Sequence, residues 1–253
     1  MALLVTSYYP LGESFHTSED RDWDSRLEHF LRMARLEDVN VLVFTDVTHG
    51  HLIRARVEEE NLHRVDVNST RFPDFRTTTT AKVLLGKCLH LPVCRHPEKD
   101  SIDYMVLQIC KTEFVAAALD LEKYRSVNRL AWFDFSLARL FPPNDCLLSR
   151  LDARFCTNFP GRITLPGCWD VSHIIDDKDL FLRVCWRFCG GFFCGDRQAI
   201  AHFYEAVTTS LLPFVWASHG VLAWEVNVWA WMEKHGHPTL FQWYPGDHND
   251  TIL

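Results

Sequence analysis

The stretch Asn40 to Asp46, NVLVFTD, decides the class of this fold. Asn40 to Thr45 is a short, almost wholly apolar run closed by an acid, the pattern of a central strand covered on both faces. Upstream, Ala2 to Tyr9 (ALLVTSYY) is a run of the same kind that stops at Pro10 and Gly12. Between them a polar stretch, Glu13 to Asp24, leads into Trp23, Leu27, Phe30, Leu31 and Ala34, which recur at helical spacing. Strand, helix, strand is the order, and Leu52 to Asn61 (helix) and Leu62 to Val67 (strand, LHRVDV) continue it.

From Ser69 to Lys99 the pattern weakens. Pro73, Pro92, Pro97 and four consecutive threonines at 77–80 leave turns and one short helix as the expectation. Asp103 to Tyr124 carries Met105, Ile109, Phe114, Ala117 and Leu121 and reads as one long helix, leading to a strand at Arg129 to Phe135 (RLAWFDF). Beyond lie a turn at Pro142 and Pro143, a helix around Asp145 to Phe155, and a loop holding Pro160, Gly161, Pro166 and Gly167. A hydrophobic run at Leu180 to Phe188 then meets Gly190 and Gly191, and helices follow at Arg197 to Ser210 and Val221 to Lys234. Strands alternating with helices predict an α/β fold, a mostly parallel sheet flanked by helices, whose ligands bind beyond the carboxyl ends of the strands. No internal repeat or linker interrupts 1–253, so a single domain is expected.

The 253 residues are 47% hydrophobic, with 18 Phe and 9 Trp, which is the composition of a folded domain with a core to fill. A formal net charge of -7 argues against nucleic acid or an anionic membrane as partner, because those require a basic face. The opening Met1 to Val5 has no cationic lead, and no window reaches the roughly 20 apolar residues of a spanning helix. A soluble, cytoplasmic protein without a transmembrane segment is expected. Nine cysteines then read as free thiols. The trio Cys185, Cys189 and Cys194 has spacings of four and five, not Cys-x-x-Cys, and no His pair follows, so core thiols are expected over zinc ligands.

Four segments carry candidate chemistry. In Leu130 to Leu137 (LAWFDFSL), Asp134 ends an apolar strand where a ligand cleft should open. A buried carboxylate needs a partner, and a divalent cation, an arginine or the amides of a turn all serve. Cys189 to Asp196 (CGGFFCGD) brings glycines where backbone meets a ligand or merely bulges, and its spacing fits neither a dinucleotide fingerprint nor a phosphate loop. Ala223 to Trp231 (AWEVNVWAW) sets Glu225 among large apolar residues, which favours proton transfer or a helix-start carboxylate. The tail Gln242 to Thr251 gathers Asp247, His248, Asn249 and Asp250 behind a Pro-Gly turn, a metal or diphosphate candidate in an otherwise solvated tail. There is no G-x-S-x-G and no H-E-x-x-H, so esterase and zinc-protease chemistry have no support.

Taken together, VTSYYPLGES (5–14), VLVFTD (41–46), QICKTEFVAAAL (108–119), AWFDFSL (131–137) and CGGFFCGD (189–196) resemble the HtrL/YibB family, which looks like a divergent branch of the GT-A glycosyltransferases. The resemblance spans most of the chain and implies a GT-A-like, Rossmann-like fold with a nucleotide-binding half at 1–137 and an acceptor-binding half at 138–253. It implies transfer of a hexosyl or pentosyl group from a nucleotide-sugar, a uridine diphosphate sugar above all, to a hydroxyl of a glycan or glycoconjugate. Thr6, Ser7, Tyr8 and Asp46 would line the nucleotide, Lys111 would face the donor, and Gly190 and Gly191 would pass close to the sugar. Asp134 would open an Asp-x-Asp metal motif for Mn²⁺ or Mg²⁺. Ser136 stands at its second acidic position and supplies an oxygen without charge, while His248 would add a ligand from the tail. An inverting reaction needs a base, with Glu225 expected first and Asp196 second. Trp224, Trp229 and Phe193 are candidates to stack on the acceptor or to pack the core. The competing expectation is a non-catalytic module of the same fold that binds a sugar or a partner.

Overall fold

The computed structural model describes residues 2–11, 22–85, 89–157, 160–174 and 176–253; the turn expected at Gly12 and the polar stretch at 13–21 lie outside them. The chain opens with strand β1 (Ala2–Tyr8), helix α1 (Trp23–Ala34), strand β2 (Val39–Thr45), helix α2 (Val47–Glu59) and strand β3 (Val65–Ser69). Leu3 and Val5 of β1 point into one apolar cluster and Ala2, Leu4 and Tyr8 into another on the opposite face. Covering on both faces is why these strands read as unbroken apolar runs. Helix α2 starts five residues earlier than expected because Asp46 caps it, its Oδ1 accepting from His49 N at 3.0 Å. The chain leaves α2 at Asn61, which takes left-handed backbone (φ 55).

Of the expectations for 69–124, the short helix among turns is present and the single long helix changes. The threonine run lies in a ten-residue helix, α3 (Arg76–Leu85), because Glu113 from a later helix accepts the amides of Arg76 (2.7 Å) and Thr77 (2.8 Å) at its start. The single long helix is instead α4 (Ile102–Ile109) and α5 (Lys111–Ala117), followed by two 3-10 turns. The break at Cys110 comes directly before Lys111, whose ammonium turns inward. Strand β4 (Leu130–Phe133) follows and ends one residue before Asp134.

The second half contains α6 (Leu147–Cys156), β5 (Ile163–Gly167), α7 (Asp177–Leu182), β6 (Phe192–Gly195), α8 (Arg197–Ala217), α9 (Glu225–His235) and β7 (Phe241–Pro245). The seven strands form one sheet in the order β3-β2-β1-β4-β6-β5-β7, parallel throughout except for β6, which runs against both neighbours. Fully buried Phe192 and Phe193 of β6 each contribute roughly 1.5–3 kcal/mol of burial. The apolar run Leu180 to Phe188 is part helix and part extended. Asn227 holds its extended part, accepting from Cys185 N (2.9 Å) and donating to the carbonyls of Leu180 and Arg183 (2.7 Å each). Arg187, 1% exposed, is satisfied by both Glu233 oxygens and the Trp169 carbonyl, each at 2.8 Å. Among the described residues no helix is long and apolar enough to cross a membrane.

Candidate active site

Strands β1, β2 and β3 finish level, with Tyr8 opposite Thr45 and Thr45 opposite Ser69. Val5 lies opposite Trp132, so Asp134 stands level with Ser7, just past β4. Because β6 is reversed, its approach rather than its end reaches this edge, and Asp134 N donates to Gly191 O at 2.9 Å. The sheet edge thus gathers Ser7, Tyr8, Asp46, Asp134, Gly190 and Gly191, and Lys111 and Glu225 come to it from α5 and α9.

Lys111 is the centre of this group. Its Nζ donates to Glu225 Oε1 (2.9 Å) and Gly190 O (2.9 Å) and lies 3.0 Å from Asp134 Oδ1, one acceptor for each ammonium hydrogen. Burial pushes the lysine pKa down, but the Asp134 and Glu225 carboxylates outweigh it and hold the pKa above its usual value, so the group is an ammonium. Trp132 Nε1 also donates to Asp134 Oδ1, at 3.0 Å. One oxygen of Asp134 is therefore committed twice, while its side chain as a whole remains 45% exposed. Glu225 is the enclosed partner at 5%. The glycines serve this arrangement directly: a Cβ at Gly190 would sit 2.0 Å from Glu225 Oε1, and one at Gly191 would sit 2.9 Å from Ile252 Cδ1. The room they leave is filled by the protein's own side chains.

On the nucleotide side, Tyr8 meets Trp23 (4.8 Å between ring centroids), His49 (5.0 Å) and Phe135 (5.0 Å). Asp46 Oδ2 pairs with His49 Nδ1 at 2.8 Å. Thr6 is completely enclosed and its hydroxyl has no hydrogen-bond partner among the described residues. Ser7 and Ser136 are half-buried, and the Ser136 hydroxyl makes no hydrogen bond among the described residues. Of the residues that contribute here, Trp132 and His49 were not singled out in the sequence. A tryptophan two positions before a strand-end acid, and a histidine three after a capping acid, are the signals that identify them.

Two candidates are placed elsewhere. Asp196 follows Gly195, which pairs with Leu130 at the far end of β4, and its carboxylate caps α8, accepting from Ala199 N (2.7 Å) and Gly161 N (2.9 Å). It stands on the opposite edge from Asp134 with both oxygens occupied by backbone amides, the position of a helix cap. No hydrogen bond or ion pair joins His248 to Asp134 among the described residues; its ring packs on Trp186 (4.3 Å) and its Nδ1 lies 3.2 Å from Asp247 Oδ1. The cysteine trio does not assemble either. Cys194 is a core thiol with its pKa pushed up to about 12 by burial. Cys189 instead faces Cys168, whose thiol is raised to about 11 by burial and by the Asp247 carboxylate.

Among solved structures, the fold is similar to mouse xyloside xylosyltransferase 1 in its apo form, at TM-score 0.54 and 11% identity over 96% of this chain and 85% of that one. It is also similar to the galactosyltransferase LgtC in complex with donor and acceptor sugar analogs, at TM-score 0.52 and 8% identity over 95% of this chain and 72% of that one. At such identities the likeness is one of fold, and that fold is the GT-A arrangement. Among curated proteins none matches in sequence. Residues 2–251 match the family described as "Bacterial protein of unknown function (HtrL_YibB)", and the chain belongs to that family.

Proposed function

We propose that this protein is a glycosyltransferase that moves a sugar from a nucleotide diphosphate, a uridine diphosphate sugar in the first instance, to an acceptor hydroxyl with help from a divalent cation. The observation that carries the reading is Asp134: a carboxylate at the carboxyl edge of a mostly parallel sheet, with one oxygen fixed by Trp132 and Lys111 and the side chain open to solvent. The similar structures, a xylosyltransferase and a galactosyltransferase bound to donor and acceptor analogs, support it through their shared fold.

In this reading residues 1–137 hold the nucleotide. Tyr8, Ser7 and Asp46 line base and ribose with Trp23 and His49 beside them, and enclosed Thr6 supports that wall from behind. Residues 138–253 face the acceptor. Asp134 and the uncommitted Ser136 hydroxyl are hard oxygen donors that fit Mn²⁺ or Mg²⁺, the remaining positions falling to diphosphate and water. A bound cation would supply neutralisation of charge on the departing diphosphate. His248 is engaged in a separate cluster and is not assigned to this cation. Lys111 contributes fixed positive charge close to the leaving group. Glu225 anchors that ammonium through Oε1; its Oε2 makes no hydrogen bond among the described residues and is the atom assigned to receive the acceptor proton.

A panel of uridine diphosphate sugars with and without Mn²⁺ tests this by thermal shift. At least one donor should raise Tm by linkage, and Asp134→Ala should remove the metal-dependent part. No shift across the panel would count against the reading. The second reading, a binding module without transfer, is favoured by Ser136 in place of a second acid. A donor-induced shift with neither hydrolysis nor transfer would select it.

A further inference from the structure

A second cluster lies on the same sheet edge, where β5 and β7 leave and β6 enters. Cys168 follows Gly167 at the end of β5, Cys189 precedes Gly190 on the way into β6, and Asp247 and His248 follow the turn after β7. One ligand atom from each of the four lies within 4.8 Å of every other. The sulfurs of Cys168 and Cys189 are 3.6 Å apart, Cys168 Sγ is 3.3 Å from Asp247 Oδ1, and Asp247 Oδ1 is 3.2 Å from His248 Nδ1. A tetrahedral zinc ion with Zn–S of about 2.3 Å and Zn–N and Zn–O of about 2.0 Å has ligand edges of about 3.8 Å between sulfurs, 3.5 Å from sulfur to oxygen and 3.3 Å from nitrogen to oxygen. The three measured edges sit just inside those values.

We propose that Cys168, Cys189, Asp247 and His248 form a zinc site that clamps the carboxyl-terminal tail to the sheet. Two thiolates, an imidazole and a carboxylate are the donor set of zinc, whereas Mn²⁺ and Mg²⁺ prefer oxygens, so this site and Asp134 select different metals. The donors are held by backbone and ring contacts that exist without the ion. Cys189 N donates to Pro166 O at 2.8 Å, Gly246 N donates to Gly167 O at 3.1 Å, and the Trp186 ring packs on the imidazole. What the clamp secures is the final turn: Ile252 packs beside Gly191, Tyr244 donates to Ile252 O at 2.6 Å, and Arg150 donates to Asp250 O at 2.9 Å. Zinc thus fixes the tail against Gly191, whose carbonyl accepts from Asp134 N, and the proposal stands whether or not the chain transfers a sugar.

The test is made on the full chain purified with reduced thiols. Elemental analysis should give about one zinc per chain, and replacement by Co²⁺ should give the intense near-ultraviolet band of cobalt–thiolate charge transfer. Cys189→Ser should abolish the band. Because Cys189 is buried, exposed His248→Ala provides a variant that folds more readily and should still bind zinc at least 10-fold more weakly. Chelator should lower Tm by about 5–10 °C. Asp134→Ala should keep the band unchanged; its loss there would assign the metal to the donor site and overturn the proposal. So would a folded, fully reduced chain that takes up no zinc, or a chain lighter by two hydrogens in which Cys168 and Cys189 are joined as a disulfide.

Discussion

Asp134 and Asp196 each stand one residue beyond a strand, and the two strands, β4 and β6, are neighbours in the sheet. Because β6 is antiparallel, the two acids sit at opposite ends of the pair, roughly 17 Å apart at strand rise. Asp134 meets a buried ammonium, an indole N–H and solvent. Asp196 meets two backbone amides and starts a helix. Identical residue types in similar local sequence therefore acquire a solvent-facing position beside a buried ammonium in one case and a capping position in the other. Strand direction is what separates them.

Substitutions that load the two ends differently sharpen or break this contrast. The largest effect is expected from Lys111→Met, which leaves Glu225 buried and unpaired and should cost about 3–5 kcal/mol in urea denaturation. A loss below about 1 kcal/mol would mean that the ammonium is not the keystone of this edge. The pKa of Lys111 is raised, so its ion pairs stabilise fully below the unfolded lysine value of about 10.4 and are lost as pH rises through the higher folded value. The difference between wild type and Lys111→Met should accordingly narrow as pH rises into strong alkali.

Next in size is Gly190→Ala, whose methyl must displace the Glu225 carboxylate. It should cost about 1–3 kcal/mol and weaken any donor-induced shift at the same time. At the other end Asp196→Ala should cost about 1–2 kcal/mol through the lost helix cap and leave the donor-induced shift untouched. Loss of that shift in Asp196→Ala would erase the distinction between the two acids. The smallest stability effect belongs to Asp134→Asn, which keeps an acceptor for Trp132 and should stay within about 1 kcal/mol of wild type while abolishing the metal-dependent donor shift.

Much of the first half was legible in the sequence. ALLVTSYY and NVLVFTD are buried on both faces, so composition alone marks them as parallel central strands. The α1 stripe of Leu27, Phe30 and Leu31 is buried as its spacing implies. Strands β5, β6 and β7 were not legible: Pro166 and Gly167 lie inside β5, β6 has only four residues and the last is Gly195, and β7 ends in a Pro-Gly turn. Short strands covered on both faces show no alternation, and their turn residues pass for loop. The place of helix α3 was obscured for a different reason, because the carboxylate capping its start comes from Glu113, far along the chain.

By itself the sequence determined the α/β class and the strand-end position of Asp134, both consequences of local patterning in which each residue reports its own burial. Only the tertiary structure decided that Lys111 bridges Asp134 and Glu225, that Asp196 turns away, and that Cys189 meets Cys168, Asp247 and His248 rather than Cys185 and Cys194. Those outcomes depend on the antiparallel insertion of β6 and the return of the tail after β7. Charges and ligand atoms interact through a few ångströms of space, and chain distance does not encode which segments come that close.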